Sequence, residues 1–79
     1  MLKARQVRAG RALVGIGQKE LAKMADVAVA TLRRMEDDGI GPERSNAGSV
    51  QRVKDCLESA GVEFTNGDAP GVRLRRGKG

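Results

Sequence analysis

The chain contains no histidine, no tryptophan and no tyrosine, and its one aromatic residue is Phe64. Without imidazole, histidine-based acid–base catalysis and His-containing metal sites are excluded. A single cysteine, Cys56, forms neither an internal disulfide nor a cysteine cluster. Its place in a helical apolar pattern reads as a small core hydrophobe or a passive surface thiol rather than a redox centre. No run of about 18 apolar residues occurs, so no membrane-spanning helix is expected. No secretory signal is expected either, because Met1 leads directly into a charged amphipathic stretch, and the expected location is the cytoplasm. The 79 residues fit one domain, whose core is too small to support a deep catalytic cleft beside it. No nucleophile–base pair or carboxylate constellation stands out, so neither an enzymatic activity nor a cofactor is expected.

What the chain does have is positive charge, 15 Lys and Arg against 10 Asp and Glu. The excess is uneven. Residues 1–36 carry eight basic side chains against three acidic ones, residues 37–66 three against six, and residues 67–79 four against one. A basic region set against an acidic one suits a protein that presents one side to phosphates. On charge alone, lysines and arginines that merely solubilise a small helical domain fit equally well.

Residues 18–36, QKELAKMADVAVATLRRME, read as two short helices joined by a tight turn. Leu21, Ala22 and Met24 form an apolar stripe in the first. After Ala25-Asp26-Val27, Ala28, Leu32 and Met35 form a second, with Thr31, Arg33 and Arg34 on the remaining faces. Ala22 occupies the fifth position of this unit, where a larger side chain would push the two helices apart. The spacing is that of a helix-turn-helix, which lays its second helix in the major groove of DNA.

Around this unit the pattern predicts a first helix over residues 2–14, with Leu2, Val7 or Gln6, Gly10 and Leu13-Val14 inward, ending at Gly15. Gly10 in mid-helix costs about 1 kcal/mol relative to Ala unless close packing requires it. The third helix is predicted over 28–36, residues 40–48 as loop, and a fourth helix from Ala47 to Ala60 capped by Gly61. Val50, Val53, Leu57 and Ala60 are its inward positions. Val62 and Phe64, then Val72 and Leu74, alternate as two short strands joined by a loop of about six residues. The plan is thus a helical domain over 1–61, a hairpin over 62–76 that packs on it or pairs with a second copy, and a disordered tail over 77–79.

The helix-turn-helix resembles the Cro/C1-type (XRE-like) family, through Gln18, Leu21-Ala22, Val27, Thr31-Leu32 and Glu36. Val7, Arg11 and Leu13, the connection Gly15-Ile16-Gly17, and Val50, Val53 and Leu57 extend the resemblance over roughly residues 2–60. It implies a mainly α fold, a small bundle of four to five helices. It also implies a transcriptional regulator, typically a repressor, that binds double-stranded DNA as a homodimer on a two-fold operator, with half-sites about one helical turn apart. In this family Arg11 and Glu36 would pair the first and third helices through a buried ion pair, the alternative being two solvated surface charges. Ala28, Val29, Ala30, Thr31, Arg33 and Arg34 would face the groove.

The chemistry of contact follows from the residue types. Gln18, at a helix start, can hydrogen-bond a phosphate, and the helix dipole favours that anion. Arg33 or Arg34 could read guanine bidentately, Val29 could touch a thymine methyl, and Arg44 is a candidate phosphate contact. Lys19 and Lys23 read either as further phosphate contacts or as a solvated face. Three positions depart from the family pattern: Asp26 stands where the turn usually has glycine, Ala28 lacks the hydroxyl of a helix cap, and Val29-Ala30 replace polar base-readers. An apolar leading end of this kind is more typical of a protein–protein contact. The alternative expectation is therefore an antiactivator or antirepressor that occupies another transcription regulator through the same helices, alone or in addition to binding DNA.

Overall fold

The computed structural model describes residues 2–65 and 70–75. Among them lie four α-helices, α1 (Ala4–Val14), α2 (Gln18–Ala25), α3 (Val29–Met35) and α4 (Ala47–Ser59), and two strands, β1 (Val62–Thr65) and β2 (Gly71–Leu74). A single 3-10 turn, Pro42–Arg44, lies within the stretch expected to be loop. The domain is mainly helical with one short antiparallel sheet. The expected loop tip at Asn66-Gly67, residue 76 of the hairpin and the tail over 77–79 lie outside the described residues. No helix among the described residues is long and apolar enough to cross a membrane.

Each helix has an identifiable start or stop. α1 begins two residues later than expected, because the Lys3 amide is taken by the Gln6 side chain at 2.8 Å while Lys3 itself stays extended. It ends where Gly15 turns left-handed at φ 72°. α2 ends in the same way at Asp26, a non-glycine residue held at φ 58° and ψ 50°. Two devices offset that strain: the Val27 amide reaches back to the Ala22 carbonyl at 2.9 Å, and the Arg52 guanidinium donates to the carbonyls of Ala25 at 3.1 Å and Asp26 at 3.3 Å. α4 starts at Asn46, whose side-chain oxygen accepts from the amides of Gly48 and Ser49, a cap that satisfies two of the otherwise orphaned first-turn donors.

The core is Val7, Leu21, Ala22, Ala25, Leu32, Met35, Val53, Leu57 and Val62. It corrects several expected inward positions. Met24 is 53% exposed, and the buried stripe of α2 is Leu21, Ala22 and Ala25 instead; one step of about 100° carries Met24 past the edge of the face covered by α3 and α4. Ala28 is exposed as the residue before α3, leaving Leu32 and Met35 as that helix's buried pair. Leu13 is 41% exposed beside a half-buried Val14, and Ala60 is exposed at the end of α4. Gln6 and Val7 are both buried, so the alternatives at that step of α1 are both inward.

Gly10 shows why α1 tolerates a helix-weakening residue. A Cβ there would lie 3.3 Å from Leu57 Cδ1 and 3.4 Å from Val62 Cγ1, so its absence lets α1 settle against α4 and β1 at once. The strands pair antiparallel, with Val62 opposite Leu74 and Phe64 opposite Val72. The sheet is then pinned to α1 by a buried side chain: Gln6 Nε2 donates at 3.0 Å to the carbonyls of both Thr65 and Gly71.

Candidate nucleic-acid interface

α3 is a short helix held at its C-terminal end by a network of polar contacts. Arg11 Nε donates to Glu36 Oε2 at 2.7 Å and Nη2 to Oε1 at 2.9 Å, a bidentate fork. The Gln18 amide donates to the same Oε1 at 2.9 Å, and Arg11 Nη1 spans to the Ile16 carbonyl at 3.2 Å. The Glu36 side chain is only 3% exposed and that of Arg11 21%. The hydrogen bond to Glu36 raises the Arg11 guanidinium above its ordinary value, against the opposing effect of burial. One carboxylate thus ties α1, the start of α2 and the end of α3 together, which fixes the direction in which α3 projects.

Arg8 adds to this clasp. Its Nη1 donates to the Glu36 carbonyl and, at 3.1 Å, to Asp38 Oδ1. That hydrogen bond holds the Asp38 carboxyl below its ordinary value. Neither Arg8 nor Arg52 stands out as structural in the sequence, and Gln6 is expected only as an alternative inward position, not as a hydrogen-bond donor to the strands. The available signal is weak: Arg8 lies one helical turn before Arg11, on the same side of α1.

The remaining face of α3 is open. With Leu32 and Met35 buried, the helical advance turns Ala30, Arg33 and Arg34 outward as one patch, three and four residues apart. All three are exposed, and Val29 and Thr31 flank them half-buried. Among the described residues no carboxylate pairs with Arg33 or Arg34. Lys19 and Lys23 on α2 are likewise exposed, and Arg44 is exposed at the end of the 3-10 turn. Gln18 gives one of its two side-chain amide hydrogens to Glu36, and the backbone start of α2, capped by Gly17 without a side-chain bond, is a further place for an anion. Ala28 likewise makes no side-chain cap at the start of α3.

A second surface lies on the other side of α2. Met24, Ala25, Asp26, Arg52, Asp55, Cys56, Ser59 and Ala60 line a shallow groove of about 540 Å³ between the end of α2 and α4. Cys56 is half-buried there, and burial raises its thiol above the ordinary value, which disfavours the reactive thiolate. Compared with models of known protein families and with curated protein sequences, the chain matches none.

Proposed function

We propose that this chain is a DNA-binding transcriptional regulator whose α2 and α3 act as a helix-turn-helix of the Cro/C1-like type, with α3 as the groove-reading helix. The observation that carries the reading is the pair of arginines, Arg33 and Arg34, exposed and without a carboxylate partner among the described residues, on a helix whose base is clamped by Arg11, Glu36 and Gln18. Arginine reads guanine through a planar fork, and that fork is useful only when the helix carrying it is held in a fixed direction. Val29 and Ala30 offer apolar contact to thymine methyls beside it, and Lys19, Lys23 and Arg44 supply phosphate contacts. One module of this size makes few base contacts, so two copies on a two-fold site, half-sites about one helical turn apart, would supply useful specificity.

The test is selection of the best site from random duplex DNA, followed by titration of Arg33→Ala and Arg34→Ala at fixed salt. At least one variant loses about 1 to 3 kcal/mol of affinity, with relaxed preference at one base pair. If neither changes binding, α3 does not read the groove.

A second reading is favoured by Met24, 53% exposed at the mouth of the α2–α4 groove. Met24 on that groove and Ala30 at the leading end of α3 are apolar side chains open to solvent on two separate surfaces, which suits an antiactivator or antirepressor that occupies another transcription regulator. Crosslinked purification from the native host separates the two: DNA without a second regulator supports the first reading, and a co-purified regulator without DNA the second.

A further inference from the structure

The open edge of the sheet plays no part in the DNA-binding reading, and it is carried by different elements from α3. Among the described residues β2 pairs with β1 on one side only. The Arg75 amide donates to the Gly61 carbonyl at 2.6 Å. Backbone direction alternates along a strand, so the groups of Gly71 and Arg73 also face β1, while the amides and carbonyls of Val72 and Leu74 point away from it.

The side chains sort with the same period. Val62, Phe64, Val72 and Leu74 share the face turned to α1, where Gly10 lies against Val62 and Phe64. Arg73 and Glu63 pair at 2.8 Å on the opposite face. Gln6 bonds both strands, which sets α1 lengthwise beside the sheet. One step around the helix from Gln6 and Gly10, Arg5, Ala9 and Leu13 recur at every fourth residue on one flank of α1. At one end of this flank Leu13 and Leu74 are 41% and 49% exposed. At the other, Lys3, Arg5 and Pro70 line a cavity of about 270 Å³.

We propose that the outer edge of β2 accepts an extended segment of a partner protein as a third strand, one in which apolar residues alternate with acidic ones. The backbone groups of Val72 and Leu74 supply the main-chain hydrogen bonds, as in other strand-addition sites. The guest's apolar side chains lie on the α1 side, beside Val72, Leu74, Ala9 and Leu13. Its acidic ones lie on the other face, beside Arg73 and Arg75, and Lys3 and Arg5 wait at the far end. A second copy of this chain is the poorer guest. An antiparallel pairing centred on Arg73 sets two arginines directly opposite one another, and one centred on Leu74 sets Arg73 against Arg75, and like charges in cross-strand pairs are destabilising; one centred on Val72 sets Leu74 against Pro70, which has no amide hydrogen to give, and so loses ladder bonds.

The experiment titrates the isotope-labelled full chain with a blocked synthetic peptide of about six residues alternating valine and glutamate, and separately with its valine–lysine counterpart. The valine–glutamate peptide shifts the amides of Val72 and Leu74 and slows their hydrogen exchange, while the amides of Arg33 and Arg34 stay put. Val72→Pro removes an outward donor and spares the inward ladder; it weakens binding about tenfold. The double change Arg73→Glu with Arg75→Glu, whose fold is checked by circular dichroism, reverses the preference toward the lysine peptide by about tenfold. Absence of any shift at Val72 and Leu74 overturns the proposal, as does equal binding of both peptides. Exchange protection that rises with protein concentration, with a doubled mass in sedimentation, also overturns it by showing a second copy on the edge. None of these outcomes depends on whether the chain binds DNA.

Discussion

Replacing Arg11 by methionine tests the clamp beneath α3 directly. The Glu36 carboxylate, 3% exposed, would lose both of its guanidinium hydrogen bonds, at 2.7 and 2.9 Å, and keep only the Gln18 amide. Stranding one member of a buried ion pair costs roughly 3 to 5 kcal/mol, and the partial exposure of Arg11 places the expected loss near the lower end, about 3 kcal/mol. For a domain of this size each kcal/mol moves the melting temperature by about 4 to 8 °C, so a fall of roughly 12 to 24 °C follows. That is a large share of the 5 to 15 kcal/mol or so that holds a small domain folded. Glu36→Leu in the same background removes the stranded charge and fills its space with an apolar group. Much of the loss returns, though the Ile16 carbonyl, now without its Arg11 donor, withholds about 1 kcal/mol. Urea titration of the parent, both single variants and the double variant gives the coupling energy, expected at about 2 kcal/mol with unchanged m values. If the single losses simply add, the two side chains do not act as a pair and the clamp is not what orients α3.

Asp26→Gly relieves the left-handed residue at the end of α2 while keeping the backbone carbonyls that Arg52 caps, and raises stability by about 0.5 to 1 kcal/mol; a thermal melt checks it, and an unchanged or lower melting temperature would mean that the left-handed aspartate carries no net strain. Gly10→Val drives a branched side chain against Leu57 and Val62 and costs about 1 to 3 kcal/mol, seen as a lower urea midpoint. The Asp38 carboxyl is held low by its hydrogen bond from Arg8, so its contribution is complete above the ordinary carboxylate value and is lost as pH falls through the lowered one. Asp38→Asn therefore flattens that part of the melting-temperature profile on the acid side, and an identical profile for parent and variant would show the contact to be idle.

Helical spacing and the two-residue alternation are local properties of the chain, and they carried the order of elements a long way. The apolar steps of residues 4 to 14 and 47 to 59 and the stop at Gly15 translate directly into α1 and α4. The alternation of Val62 and Phe64 with Val72 and Leu74 likewise becomes one face of the sheet in the expected pairing. A period, however, says which residues share a side and not how much of that side a neighbour covers. Met24, Leu13 and Ala28 satisfy the apolar pattern and stay exposed because none of the described elements packs over them, a matter settled by how α2, α3 and α4 cross and where the sheet docks. Of the polar contacts that lock the fold, the Arg11–Glu36 pair is expected through the family resemblance and is present, whereas the others are invisible locally. Gln6 reaches residues 59 and 65 positions away, and Arg52 reaches back 27 and 26 to cap α2. Gln18, read from its position as a ligand for phosphate, also gives one amide hydrogen to Glu36, a role its position did not suggest. Sequence patterning therefore determined the elements and their apolar faces; apart from the Arg11–Glu36 pair, tertiary packing decided which polar side chains became structural and which, such as Arg33 and Arg34, stayed exposed, because a buried charge takes whatever partner the fold brings within reach.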